Sequence, residues 1–492
     1  MKIGKFAENY AVIVNKALET FASGCHENVV LSPFSMVMLL AILADATKGE
    51  AHKEILAVIA RGIYNDLTGS FAEIQKYLTD AETFVSSNAV CVKKSLENSI
   101  LPEFKEKLAK YGGEFFASEN CVEEINGWVN EKTKGMIKKI VNEPMNPLFM
   151  ATLMNAVAFE AKWGDSYKDC DIKEEKFTNA SGYQNTVDML KSSENSYIED
   201  DFFIGFVKPY QGDKYSFMAL LPKKKSMKFF DKSLQTVDFV KLFKNSRGCK
   251  VHVTMPEFKY CWEHSVVDFC KELGINTIFS QNADFSPFSS SVKIKIDEMI
   301  QKAYIEVNRK GTKAKAVTYC QVVGCSPFTV KPEVKTVRLN RPFIYAIVHN
   351  KSGVPVFVGT VKHLPMKGVE KITKEYLAGA LRCLVLLREY DYDGTWEDIE
   401  LGFSLYDISV VIEEKPEYFD CPEIKEQFDK AMKALEELIA NNVDYHFLLE
   451  ASLGPGRDLF PDKKKHWWWW MPEKVMNKEQ LREWKKYLKK EY

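Results

Sequence analysis

Residues 305–334 read IEVNRKGTKAKAVTYCQVVGCSPFTVKPEV, and the reading of this stretch decides the fold. It opens as a strand, because Tyr304, Ile305, Glu306 and Val307 alternate and two of them are β-branched. Gly311 is expected to end that pairing, since glycine tolerates the turn that takes a chain out of a sheet. A second alternation follows. Thr312, Ala314, Ala316 and Thr318 are small, whereas Lys313, Lys315, Val317 and Tyr319 are larger. Two is the strand period, so as a strand this segment would turn a small face inward and a longer face outward. Gly324, Pro327 and Pro332 then favour an irregular, exposed course. Two readings stay open on these residues: a long surface connection with an accidental alternation, or a loop able to become a strand.

The flanks carry more. Downstream stands LNRPFIYAIVHNKSGVPVFVGTVKHL (339–364), and upstream NVVLSPFSMVMLLAILADATKGEAHKEIL (28–56) and NAVAFEAKW (155–163). KPYQGDKYSFMALLPKK (208–224) and VTMPEFKY (253–260) fall between them in order. With VNRKGTKAKAVT, this set resembles the serpin family over about residues 5–365. The resemblance, to serpins of an intracellular, bacterial type, implies an α+β serpin fold. That fold has a large mixed sheet, two smaller sheets, about nine helices and an exposed reactive loop.

It also implies roles for particular residues. Arg309, Gly311, Thr312, Ala314, Ala316 and Thr318 fall in the hinge, with Arg309 where the family usually has glutamate. Ser32, Ser35 and Asn155 match the hydrogen-bonded cluster under the large sheet called the shutter, and Gln301 stands where the family usually has histidine. Gln can still donate and accept, but the cluster loses a titratable member. Read without the family, Ser32 and Ser35 are helix-capping hydroxyls. An insertable arm of nearly fixed length, counted from Gly311, puts the scissile bond between Cys325 and Ser326. Phe328 and Lys331 are the competing sites. Cysteine suits a shallow, elastase-like or subtilisin-like pocket, whereas phenylalanine and lysine would suit chymotrypsin-like and trypsin-like proteases.

Composition sets the outer bounds. A chain of 492 residues is long for one core, so two domains are expected. The formal charge of -1 gives no field pointing to nucleic acid or a membrane surface. The 11 cysteines are scattered, with no C-x-x-C pair and no Cys/His spacing for a metal. A reduced, cytoplasmic protein without cofactor is the simplest account. Residues 1–24 lack the apolar core of a signal peptide and read as an amphipathic helix instead. Val29 to Leu43 reads as a buried helix opened at Ser32 and Pro33. Helices are expected at Gly49–Ile59, Ser70–Leu78, Pro102–Tyr111 and Cys121–Lys134. Strands are expected at Asn88–Val92, Ala151–Phe159, Phe203–Val207, Phe217–Leu221 and Val251–Phe258.

Residues 366–492 lie beyond the serpin motifs and read as a small, mostly helical C-terminal domain of unknown role. Its helices are expected at Thr373–Glu389, Pro422–Ala440 and Asn477–Lys490, with a tryptophan run at 466–471. Asp391, Asp393, Glu397 and Asp398 lack calcium-loop spacing. No G-x-S-x-G elbow, H-E-x-x-H, phosphate loop or dinucleotide fingerprint is present, so no enzyme is expected. Two functions stand. One is a monomeric inhibitor whose loop a target protease attacks, forming a covalent acyl-enzyme with it. The other is a non-inhibitory scaffold that binds through its loop or C-terminal domain.

Overall fold

A computed structural model describes residues 3–25, 27–61, 66–80, 82–141, 150–180, 184–289, 294, 296, 299–312, 334–364 and 422–440. The chain divides into two compact units, Met1–Glu174 with Asp188–His363, and Glu175–Val187 with Leu364–Tyr492. The described elements are mixed α+β, with a large mixed sheet and smaller ones, as expected.

In the first unit the continuous apolar runs become buried strands. Pro355–Val361 pairs with Val29–Leu31 on one edge and Phe343–His349 on the other, and Phe343–His349 also pairs with Tyr215–Pro222. The order continues through Phe203–Pro209, Gln184–Glu199 and Arg247–Pro256 to Val334–Arg338. Every residue of Phe343–His349 and Pro355–Val361 is buried, as expected of strands covered on both faces. The helix Pro33–Ala46 lies among them and is apolar all round, the pattern of a helix buried on every side. Phe84, Phe159, Tyr215 and Phe357 meet edge to face here, with Phe84–Phe357 centroids 5.7 Å apart and Phe159–Tyr215 5.5 Å.

A second sheet is divided. Phe84–Lys93 pairs with Glu114–Ser118 in parallel and with Ala151–Phe159 antiparallel, making one half. Phe258–Ser265 pairs antiparallel with Ile300–Val307, making the other. Among the described residues no ladder joins Ala151–Phe159 to Ile300–Val307. The helix Cys121–Lys132, capped by Asn120, covers both halves. Ile125, Trp128 and Val129 pack on Ala89 and Cys91, on Met154 and Ala156, and on Tyr304.

Several boundaries differ from expectation, and two have a clear local cause. Val29–Leu31 is a strand and the helix begins only at Pro33, because two valines favour extended backbone and proline's fixed φ suits a first helical turn. The strand expected through Phe258 ends at Pro256, which has no N–H to continue the ladder, and a new strand starts at Phe258. In the second unit, Pro422–Ala440 is helical as its periodicity predicts, with Ile424 and Ala431 buried seven residues apart on one face. The other C-terminal readings, the tryptophan run included, lie outside the described residues. No helix of the described residues is long and apolar enough to cross a membrane.

Candidate functional site at the head of the divided sheet

The chain leaves Ile300–Val307 through a tight turn. Asn308 N–H donates to the Gly311 carbonyl at 3.0 Å, and Gly311 N–H returns the bond at 3.2 Å. Gly311 has φ +147°, and a Cβ there would stand 2.3 Å from the Ala161 carbonyl oxygen. Only glycine fits both the conformation and the space. The chain does not leave pairing at Gly311 as expected. Gly311–Thr312 instead begins a short antiparallel ladder with Ala161–Lys162, Gly311 opposite Lys162 and Thr312 opposite Ala161. It therefore starts down the free edge of the half-sheet that ends at Phe159.

The turn is held from both sides. The Trp163 indole N–H donates to the Asn308 carbonyl at 2.8 Å, Tyr167 N–H to that of Arg309 at 3.2 Å, and Trp163 N–H to that of Lys310 at 3.3 Å. Opposite, Arg309 grips Glu257. Its Nε and Nη2 donate to the two carboxylate oxygens at 3.1 and 3.2 Å, and its backbone N–H donates to Oε1 at 2.7 Å. Asp169 and Asp188 stand 3.7 and 4.0 Å from the same guanidinium. The Arg309 side chain is 37% exposed, so water screens this cluster and its strength comes mainly from fork geometry.

Trp163 is core, as expected, stacked on Tyr210 with ring centroids 4.7 Å apart. It also carries the hinge, which its sequence does not announce. A buried ion pair lies beside it, with Lys208 Nζ 2.8 Å from Glu194 Oε1. Ser192 Oγ donates to that same oxygen at 2.6 Å, and the Lys208 ammonium lies 4.8 Å from the Tyr167 ring. Glu257 is likewise not evident from sequence. Its one sign there is an acid inside VTMPEFKY that could complement the unusual Arg309.

The four residues expected in the shutter separate into two groups. Ser32 Oγ accepts from Ser35 N–H at 3.3 Å, the capping role, and donates to the Val356 carbonyl at 3.0 Å. Gln301 Nε2 donates to the Ser32 carbonyl at 2.9 Å. Asn155 turns instead to its own half-sheet, donating to Asn88 Oδ1 at 2.6 Å and Ser86 Oγ at 3.0 Å. Asn155 Oδ1 and Gln301 Oε1 are both buried without a hydrogen-bond partner. One sits on each strand bordering the division. Ala314, Ala316, Thr318, Cys325, Ser326, Phe328 and Lys331 lie outside the described residues, as does the Thr312 side chain.

Comparison with known proteins agrees with this geometry. Residues 8–364 match the family model described as Serpin (serine protease inhibitor). Iripin-5 of Ixodes ricinus is 29% identical over 370 residues, covering 70% of this chain and 92% of the relative. The thermophilic serpin tengpin in its native state is 34% identical with a TM-score of 0.65, over 73% of this chain and 94% of tengpin. Its latent state is 31% identical with a TM-score of 0.63, over 73% and 98%. On the motifs, the sheet architecture and this match across residues 8–364, the chain belongs to the serpin family.

Proposed function

We propose that the protein inhibits a serine-type endopeptidase as a suicide substrate. The protease attacks the loop that follows Thr312 and acylates itself on it. The N-terminal arm of the cut loop then enters the division between Ala151–Phe159 and Ile300–Val307 as a new strand. The arrested acyl-enzyme is the product, and the inhibitor supplies no nucleophile of its own.

One observation carries this reading: the ladder already begun at Gly311–Thr312 points the arm down an edge that has no other ladder among the described residues. Continued residue by residue, the same register sets Ala314 opposite Phe159, Ala316 opposite Val157 and Thr318 opposite Asn155. Directly opposed residues share a face. Phe159 packs on Tyr215 and Phe357 in the core, while Met154 and Ala156 face the covering helix. The four small residues thus fall on the core side, and the lysines at 313 and 315 on the other. Insertion adds backbone hydrogen bonds along two unpaired edges. Strain stored before cleavage is released as the strand enters, and this drives the change.

Cleavage between Cys325 and Ser326 makes an elastase-like or subtilisin-like protease the target class. The test is incubation with such a protease, denaturing electrophoresis and mass spectrometry of the released peptide. A covalent complex that survives boiling in detergent, with a new N-terminus at Ser326, is expected. Thr312→Arg should abolish the complex and leave clean cleavage, because a guanidinium would have to be buried as the strand enters. Cleavage without complex across a panel of serine and cysteine proteases would favour the scaffold reading instead.

A further inference from the structure

A second reactive arrangement lies in the same unit, in residues that the inhibitory reading does not use. The helix Ile3–Ala22 ends against the segment after the strand Pro355–Val361. Asn28 ties the two together. Its Oδ1 accepts from Lys362 N–H at 2.7 Å and His363 N–H at 2.9 Å, and its Nδ2 donates to the His363 carbonyl at 2.7 Å. This clamp carries the Lys362 side chain into the interior, where it is completely buried. Its ammonium group has three acceptors: the Ala22 carbonyl, the Cys25 carbonyl at 2.8 Å and Cys25 Sγ at 3.5 Å. Among the described residues no carboxylate forms an ion pair with it. Burial lowers its pKa from the ordinary lysine value, while Cys25, Asp231 and Glu27 nearby act in the opposite sense.

Cys25 is only half-buried, so a small oxidant reaches its sulfur while Lys362 approaches from within. We propose that Cys25 and Lys362 form a redox-modification site, in which a peroxide produces a reversible sulfur–nitrogen bond between the two side chains. Hydrogen peroxide first oxidises the thiol to a sulfenic acid, and one water is released. Lys362, once it has given up its proton to solvent, attacks the sulfenic sulfur with its amine lone pair. An S–N bond forms and the S–O bond breaks, with the hydroxyl leaving as a second water after taking a proton from nitrogen. The sulfur is oxidised, the peroxide is reduced, and the linked pair has lost two hydrogens. A thiol reductant reverses the step by attacking sulfur and returning the amine. The link joins residues 337 apart, near the two ends of this unit, and so forbids their separation in the unfolded chain.

Full-length protein is treated with hydrogen peroxide, digested without reductant and analysed by tandem mass spectrometry. The expected product is one linked peptide containing Cys25 and Lys362, two hydrogens lighter than its parts and split by dithiothreitol. The oxidised protein should also unfold at higher urea than the reduced protein. Lys362→Arg keeps the charge and should abolish both effects, as should Cys25→Ser. Cys25 recovered as sulfinic acid, or as a disulfide to another thiol, with Lys362 unmodified, would overturn the proposal. A urea shift that persists in Lys362→Arg would overturn it as well.

Discussion

Phe343–His349 and Pro355–Val361 are buried along their whole lengths, and each has a hydrogen-bonded strand on both sides. Among the described residues Ala151–Phe159 and Ile300–Val307 are each paired on one side, and each carries a buried amide oxygen without a partner. Thr360 Oγ1 in Pro355–Val361 is also buried without a partner, so the contrast lies in the backbone: the same chain builds one sheet whose central edges are paired and another whose edges are left open. An unpaired buried acceptor costs about 1–3 kcal/mol, and an unpaired edge is a template for another strand. The contrast locates stability in the first sheet and the capacity for change in the second. A change in the first should alter how stable the protein is. A change in the second should alter what loop cleavage does.

The largest effect is expected from Phe357→Ala in the closed sheet. It removes a ring packed on Phe84 and Phe159 and should cost about 3–5 kcal/mol. Urea unfolding of intact and loop-cleaved protein checks it, and both forms should lose the same amount. A loss confined to one form would break the separation between the two sheets.

Acid should act on the closed sheet next. His349 is buried against Tyr77 and Tyr215, with Ser352 Oγ 2.9 Å from its Nδ1. Burial, reinforced by Lys214 and Lys351, lowers its pKa from 6.5 to about 4. Between those values the unfolded chain binds the proton and the native one does not. The contribution is therefore complete above pH 6.5 and lost as pH falls to about 4, up to about 3 kcal/mol. Stability measured against pH should fall across that window, and His349→Gln should flatten the fall.

Smaller effects belong to the head of the divided sheet. Gly311→Ala forces a Cβ onto the Ala161 carbonyl in a backbone conformation that alanine resists, at about 1–3 kcal/mol. Complex formation should fall further than native stability does, which a titration of inhibitor against protease would read. The least effect is expected at Arg309 and Glu257. Their partly exposed pair should show a coupling of about 0.5–1 kcal/mol in a double-mutant cycle. Exchanging the two residues should recover most of what Arg309→Ala loses. A double variant that loses the sum of the two single losses, with no recovery on exchange, would mean that the fork does not hold the turn.

Much of this division is legible in the sequence where local chemistry and tertiary environment agree. Gly49–Ile59 and Ala151–Phe159 have the expected ends because periodicity, glycine and apolar runs all give one answer there. The strand Gln184–Glu199 is not legible, because its polar residues hide the alternation and Glu194 is buried with Lys208 and Ser192 as partners. Val29–Leu31 merges with the helix that follows, since three apolar residues before a cap do not declare a period of two. At the site, the hinge glycine and the small alternation are plain. The donors from Trp163 and Tyr167 and the Arg309–Glu257 fork are not, because each joins segments far apart in the chain. The unexpected group is Asn155, which serves its own half-sheet and leaves Gln301 with Ser32.

The central claim is that the division accepts the cleaved loop as a strand. Amide hydrogen exchange across residues 151–159 and 300–307, before and after a single cut beyond Tyr319, tests it most directly. The account predicts that amides on both bordering edges become strongly protected after the cut. Exchange at both edges unchanged by cleavage would contradict it.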